Sequence, residues 1–111
     1  MKYEMKLKNN PFNSIKNGTK TVEMRLYDEK RRLLRVNDLI EFTNIDSFEK
    51  MIVKVVGLYK FSSFEELYNY FDKVSLGYKE NEEANSSDME EYYSKDEQDK
   101  YGVVGIQIVR I

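Results

Sequence analysis

Apolar and polar residues alternate in steps of two over several segments of this chain, and this pattern constrains its fold more than any other feature. Such alternation is typical of a β-strand that buries one of its two faces. Together with a run of β-branched residues, it predicts five strands, over residues 3–7, 19–27, 39–43, 51–59 and 103–111. Gly57 lies within the fourth of these segments, where it predicts a bulge or a bend.

A short helix is predicted over residues 10–18, directly after the first strand. Asn10 has the residue type of an N-cap, Pro11 suits the first helical position, and Gly18 suits the end of the helix. Residues 28–37 are rich in charge, so this segment is predicted to be irregular or briefly helical.

Two further helices are predicted by capping boxes, in which a serine is followed three residues later by a glutamate. The box Ser63–Glu66 begins a helix whose apolar residues are spaced to bury one face. The box Ser87–Glu90 begins a helix that Gly102 ends in the left-handed region of backbone space.

The order of these elements favours one fold class. Strands dominate, and helices interrupt them without regular alternation, which favours an α+β fold with a small curved or barrel-like sheet over a doubly wound one. The chain has 111 residues, the length of one domain, so residues 1–111 are expected to form a single domain.

The chain contains neither cysteine nor histidine, and this excludes many kinds of chemistry. There is no thiol for a disulfide or a nucleophile, and no imidazole for a catalytic relay or an ordinary transition-metal site. We therefore expect no metal ion and no cofactor. No apolar run approaches the roughly 20 residues that span a bilayer, and the N-terminus lacks a secretory signal, so we expect a cytoplasmic protein without a membrane partner.

Charge is distributed unevenly along the chain. The net charge is −2, yet residues 1–60 hold 13 Lys and Arg against 8 Asp and Glu, whereas residues 61–111 hold 5 against 12. The densest basic cluster, residues 30–35, is either a solvated loop or part of a phosphate-binding face. A negative net charge argues against avid binding of duplex DNA, which requires many phosphate contacts.

Three charged residues at the second predicted strand are candidates for a site. Glu23 and Arg25 are two residues apart, hence on one face of the strand, and Lys20 lies at its entry. A carboxylate between two cations stays ionised and holds both in place. The spacing leaves two interpretations open: a ligand site for a phosphate, carboxylate or base, or a surface ion pair worth about 0.2 to 1 kcal/mol.

The segment that contains these residues, Gly18 to Arg25, resembles the GxKxxExR signature of ASCH domains. Residues 37–42 resemble the strand entry that follows it in the family, with Asn37 in place of the usual glycine, and residues 93–106 resemble the ending of small bacterial members. The three segments occur in the family's order. The resemblance implies a small PUA-like β-barrel with flanking helices, formed by a single ASCH domain over residues 1–111.

The resemblance also implies a function. ASCH domains are expected to bind RNA or a nucleotide-like ligand, here in a cleft lined by Lys20, Glu23, Arg25 and Tyr93. The alternative is a metal-independent amidohydrolase acting on N4-acetylcytidine-type acylated nucleosides, with Lys20 and Glu23 as catalytic residues. Glu23 stands where the members with that activity have threonine, and Thr21 is expected to point elsewhere.

The C-terminal part of the chain adds aromatic and acidic residues. Tyr92, Tyr93 and Tyr101 are candidates for stacking on a base, although their helical spacing is also typical of core residues. The acidic run of residues 80–99 lacks the spacing of a calcium loop and is interpreted as a solvated acidic helix, or as the surface of a protein-binding adaptor. If the signature is a site, Lys20, Glu23 and Arg25 should converge on a concave pocket with one of these tyrosines nearby.

Overall fold

The structure is a computed structural model that describes all residues, 1–111. It contains five strands, three α-helices and two short 3-10 helices. In chain order these are β1 (Lys2–Leu7), α1 (Asn9–Lys16), β2 (Val22–Leu26), a 3-10 helix (Arg31–Leu33), β3 (Leu39–Asn44), β4 (Lys50–Phe61), α2 (Phe64–Tyr70), a 3-10 helix (Ser86–Glu91), α3 (Lys95–Tyr101) and β5 (Val103–Arg110). No helix combines the length and apolar composition that a membrane crossing requires.

The five strands form one curled sheet in the order β1-β3-β4-β5-β2. The pair β1–β3 is parallel and the other three pairs are antiparallel. The curl makes a half-barrel, because β1 and β2 are the two edge strands and no backbone ladder joins them. This confirms the predicted α+β class and the five strands. We call the gap between β1 and β2 the seam.

The bulge predicted at Gly57 is confirmed. The register of β4 against β5 shifts between Val55 and Gly57. A β-carbon at Gly57 would lie 2.8 Å from the Gln107 side chain and 2.8 Å from the Tyr59 ring, so glycine lets these two side chains approach the backbone closely. The bulge bends the longest strand of the sheet and so helps it to curl.

Apolar residues pack on both faces of the sheet. The core inside the curl is closed by Phe12 and Ile15 of α1. A second core lies on the outer face, where α2 and the segment around Met89 cover β2 and the start of β5. Its members are Val22, Met24, Leu26, Phe64, Leu67, Leu76, Met89 and Val103. Consequently β2, an edge strand, is buried on both faces, and any charged side chain on it must find partners within the protein.

The predicted start of α1 is wrong by two residues. The helix begins at Asn9 rather than after an N-cap at Asn10, so Pro11 occupies its third position. The reason is a contact distant in sequence: the Asn9 backbone N–H donates to Asp46 Oδ2 at 3.2 Å. Pro11 is tolerated because the first-turn N–H groups have no partner within the helix.

The single helix predicted from Ser87 to Gly102 is also wrong, and with it the continuous acidic helix over residues 80–99. The segment divides into the 3-10 helix Ser86–Glu91 and the α-helix Lys95–Tyr101. Ser87 donates its hydroxyl to Asn85 Oδ1 and does not cap a helix. The capping box is instead formed by Ser94 and Glu97.

Gly102 and Asn37 have positive φ angles, which suit their residue types. Gly102 ends α3 at φ 72°, as predicted. Asn37, which the resemblance to ASCH domains sets in place of a glycine, has φ 81°. Asparagine is one of the few residues other than glycine that adopt this conformation at low cost, so Asn37 suits the turn before β3.

The position of the capping box can be tested by substitution. We expect Ser94→Ala to lower the free energy of unfolding by about 1 kcal/mol, because it leaves the Glu97 backbone N–H without its acceptor. The matched control is Ser87→Ala, which should cost less than about 0.5 kcal/mol because it removes only an exposed side-chain hydrogen bond. Urea denaturation measures both. A larger cost at Ser87 than at Ser94 would contradict the division of the helix.

Candidate functional site

The loop before β2 positions the first residue of the signature. Gly18 turns the chain away from α1 at φ 88°. The Lys20 backbone N–H then donates to Ser14 O at 3.0 Å. Gly77 lies against the lysine stem, since a β-carbon there would be 3.1 Å from Lys20 Cδ. The Lys20 side chain is therefore fixed between α1 and the loop that contains Gly77.

The strand register determines which way the other two residues of the signature point. Glu23 is paired with Ile106 of β5, and Arg25 with Val104. Both β5 residues belong to the core inside the curl. Directly opposed residues share a face, so Glu23 and Arg25 point inside, while their neighbours Val22, Met24 and Leu26 point to the outer core.

Lys20, Glu23 and Arg25, which we call the trio, form one buried ion cluster. Lys20 Nζ lies 3.0 Å from Glu23 Oε1. Arg25 Nε donates to Glu23 Oε2 at 2.9 Å, and Arg25 Nη2 lies 2.8 Å from the same oxygen. The exposed fractions of the three side chains are 8%, 5% and 12%. This arrangement differs from a solvated ion pair, in which water screens the interaction.

Arg25 also joins the two edges of the sheet. Its Nη2 donates to the backbone oxygen of Lys6 at 2.9 Å. Lys6 belongs to β1 and Arg25 to β2, so this hydrogen bond crosses the seam. A side chain thus makes the contact that a backbone ladder would make in a closed barrel.

The contacts within the trio change the pKa values of Glu23 and Arg25. Burial alone would raise the pKa of Glu23, but the charges and hydrogen bonds of Lys20 and Arg25 outweigh it and lower this pKa to about 2. Burial also disfavours the charged form of Arg25 and would lower its pKa, but Glu23 and the Tyr93 hydroxyl outweigh burial and raise this pKa. The carboxylate is therefore ionised throughout the physiological range.

A cavity of about 220 Å³ opens beside the trio at the seam. We call it the first cavity. Its walls combine the trio with the end of β1 and with the segment around Tyr93. The lining residues are Lys6, Leu7, Lys8, Pro11, Lys20, Glu23, Met24, Arg25, Ile45, Met89, Tyr92 and Tyr93.

The structure brings two of the three candidate tyrosines to this cavity. Tyr93 stacks on Phe64, with ring centroids 5.7 Å apart, and burial raises its pKa against the lowering effect of Arg25 and Arg31. Tyr92 is half exposed. Tyr101 packs against the outer core instead and does not line the cavity.

Two cationic residues of the cavity were missed by the sequence analysis. Lys6 and Lys8 lie at the end of β1, where their alternation with apolar residues suggested only a solvated face. Lys8 Nζ lies 5.0 Å from the centre of the Tyr92 ring and 3.4 Å from Glu91 Oε1. No local signal could identify them, because they reach the cavity only when the sheet curls.

The signature residues therefore lie together, as the sequence analysis required of a site. Lys20, Glu23, Arg25 and Tyr93 line one concave cavity. That they bind a ligand remains a prediction. Thr21 lies outside the cavity, as expected, and no serine or threonine lines it.

Comparison with known families decides the identity of the domain. The family model described as ASCH domain matches residues 5–111. The chain belongs to the ASCH domain family. No curated protein sequence matches this ASCH domain.

Solved structures share its architecture. The crystal structure of hypothetical protein PH0355 has a TM-score of 0.85 and 33% sequence identity over 100% of both chains. The solution structure of protein PF0455 from Pyrococcus furiosus has a TM-score of 0.77 and 28% identity, covering 100% of this chain and 98% of that one. An ASCH domain from Lactobacillus crispatus, at 17% identity, covers 98% and 79% with a TM-score of 0.64 and shows the fold alone. The predicted PUA-like architecture is confirmed, in the form of a half-barrel.

The lowered pKa of Glu23 predicts a specific acid sensitivity. Its carboxylate stabilises the fold above its ordinary pKa of 4.5, and this contribution is lost as pH falls from 4.5 towards 2. We expect Glu23 to account for about 3 kcal/mol of the fall in unfolding free energy over this range. Urea denaturation at successive pH values should show that wild type and Glu23→Gln converge in stability as pH falls.

The control for this experiment is Glu4→Gln, which removes an exposed carboxylate of β1. It should retain the pH dependence of the wild type. Parallel stability curves for Glu23→Gln and the wild type over pH 4.5 to 2 would show that the trio does not hold the carboxylate ionised.

Proposed function

We propose that this ASCH domain binds RNA or a nucleotide-like ligand by taking a nucleobase into the first cavity. The observation that carries this proposal is the buried trio in the cavity wall, which has one net positive charge. A buried charge without a counterion favours a ligand that supplies hydrogen-bond acceptors. Tyr92 and Tyr93 supply an aromatic wall on which a base can stack.

The hydrogen bonds of the trio leave donors available for a ligand. Two of the three N–H groups on Lys20 Nζ have no acceptor in the protein, and the Arg25 guanidinium interacts with the Tyr93 hydroxyl in the wall of the cavity. Glu23 holds both cations in position and so preorganises them. A base carbonyl or a ring nitrogen is the kind of acceptor that fits such donors.

The size of the cavity restricts the occupant. At about 220 Å³ it is smaller than the sites of about 300 to 1,000 Å³ that hold drug-sized ligands. One base is therefore the expected occupant. A base paired in a duplex cannot enter, because its Watson–Crick edge and both faces are already occupied. The proposal thus concerns single-stranded RNA or a free nucleotide, and no duplex DNA.

Substitution of Lys20 tests the proposal. Lys20→Met keeps an unbranched apolar stem against Gly77 but removes the charged donor. We expect it to weaken nucleoside or RNA binding by about tenfold to a hundredfold, measured by NMR titration of the backbone amides of residues 20–25. Lys54→Ala, which removes a lysine of β4 outside the cavity, should leave the affinity unchanged.

The titration must include the four nucleosides, their 5′-monophosphates and short single-stranded RNAs. An undisturbed wild-type spectrum at residues 20–25 with every one of these probes would refute the proposal. Far-ultraviolet circular dichroism of Lys20→Met establishes that the variant is folded, so that a loss of binding is attributable to the missing ammonium group.

A second candidate function is amide hydrolysis of N4-acetylcytidine-type nucleosides, for which the burial of Lys20 in the cavity is the favouring observation. In that reaction Lys20 would activate water, and Arg25 would stabilise the oxyanion. The other candidate catalytic residue fits less well. A pKa of about 2 makes Glu23 a poor general base at neutral pH, and no serine or threonine hydroxyl lines the cavity.

Hydrolysis is tested directly by incubating the protein with N4-acetylcytidine and measuring cytidine release. Because binding is our proposal, we expect the rate of release to be equal for the wild type and for Lys20→Met. A wild-type rate well above that of the variant would establish the enzyme in place of the binding module.

A further inference from the structure

A second cavity, of about 520 Å³, lies on the seam on the other side of the hydrogen bond between Arg25 and Lys6. These two residues line both cavities, so the cavities meet at that hydrogen bond. The residues that line the second cavity are Glu4, Met5, Lys6, Arg25, Lys30, Arg31, Thr43 and Lys50. Lys30 and Arg31 belong to the basic cluster of residues 30–35, and neither they nor Lys50 contacts the base in the proposed function.

The second cavity is strongly basic on a protein whose net charge is −2. Five of its eight lining residues are cations, and Glu4 is the one anion among them. Part of this charge is compensated from outside the cavity, since Arg31 pairs with Asp28 at 2.8 Å and Lys50 with Glu41 at 3.6 Å. Lys6 and Lys30 have no carboxylate within 4 Å.

The sheet register gathers three of these residues from three strands. Lys6 of β1 is opposite Thr43 of β3, and Thr43 is opposite Lys50 of β4. Directly opposed residues on neighbouring strands share one face, so the row presents an ammonium group, a hydroxyl group and a second ammonium group side by side. Each of these groups donates hydrogen bonds to an anionic oxygen.

Arg31 gives an independent indication of an anionic ligand. Its Nη1 donates to Asp28 at 2.8 Å, but its Nε is buried without any acceptor. Buried donors in folded proteins are nearly always paired, so the protein leaves the hydrogen bonding of Arg31 incomplete in the wall of a basic cavity, as suits a side chain that also serves a ligand. Arginine is the residue type that most often takes this role with phosphate.

We propose that the second cavity binds backbone phosphates of a single-stranded RNA whose base occupies the first cavity, so that the strand follows the seam across Arg25. This inference rests on the proposed function and makes it more specific, because it names a polynucleotide and not a free nucleoside as the ligand. Phosphates in the second cavity accept hydrogen bonds from the side chains of Lys30, Arg31 and Lys50. Arg25 lies between the two cavities and contacts both parts of the ligand.

This arrangement assigns different tasks to the two cavities. The trio and the tyrosines contact the base, whereas the cations of the second cavity contact only the sugar–phosphate chain and carry no base selectivity. Binding of RNA should therefore depend on salt more steeply than binding of a nucleoside. Each phosphate contact with a single strand adds about −0.7 to the slope of log K against log salt.

The experiment compares three kinds of probe by NMR: the four nucleosides, inorganic phosphate and single-stranded RNA tetranucleotides. We expect nucleosides to shift the amides of residues 20–25, and phosphate to shift those of Lys30, Thr43 and Lys50. Tetranucleotides should shift both sets at once and bind about tenfold or more tightly than nucleosides at low salt.

A matched pair of double variants separates local contacts from general charge. In Lys30→Ala/Lys50→Ala, tetranucleotide affinity should fall by about tenfold or more, and the salt slope by about 1.4, while nucleoside affinity stays at the wild-type value. Lys54→Ala/Lys60→Ala removes the same charge from positions outside the cavity and should change tetranucleotide affinity by less than about twofold.

Several outcomes would overturn the inference and leave the proposed function intact. Tetranucleotides that bind no better than nucleosides, or an equal loss of affinity in both double variants, would show that the second cavity does not hold the backbone. Shifts at Lys30 and Lys50 that a polyglutamate peptide reproduces as well as RNA would assign the surface to an acidic protein segment. No shift of residues 20–25 with any probe would instead refute the proposed function, and this inference with it.

Discussion

The structure depends on one buried chain of charges that runs from Lys20 through Glu23 and Arg25 to the backbone oxygen of Lys6. Five strands curl far enough to bring β1 and β2 near each other, but no backbone ladder joins these edges. An exposed edge strand is a liability, since its unpaired groups can recruit another chain. Arg25 donates to one of these unpaired groups, the Lys6 backbone oxygen of β1. The seam stays open beside this hydrogen bond, where the first and second cavities lie.

Stability alone does not account for such a cluster. Removing three charged groups from water costs free energy that their mutual attraction repays only in part, and apolar residues of similar volume often give a fold that is at least as stable. Here the cluster also retains one net positive charge and unused donors beside an open cavity. These features suit a site whose ligand completes the hydrogen bonding, and they explain why polar residues interrupt the core at the one place where the barrel is open.

The sequence predicted the features that depend on residue spacing, and failed where a side-chain hydrogen bond or the curl of the sheet decides. Period-two alternation identified the strands. It also placed Glu23 and Arg25 on one face, because residues two apart on a strand always point to the same side. The start of α1 was misplaced because Asp46, far away in sequence, supplies the cap. Ser87 and Ser94 both begin a serine–glutamate pair, and the choice between them depends on Asn85, whose side chain engages Ser87. For the site, Lys6 was unpredictable because the curl of the sheet brings it to Arg25.

Burial of β2 on both faces links the fold to the site. An edge strand with one solvated face would let Glu23 and Arg25 adopt many rotamers, and water would screen their attraction. The outer core under α2 fixes the strand from behind through Val22 and Met24, and Tyr93 packs on Phe64 beside the cavity. The helices that cover β2 therefore hold the backbone that carries the charges, and the charges hold the two edges of the sheet together. A substitution in the outer core, although it contacts no ligand, should alter the geometry of the cavity through this strand.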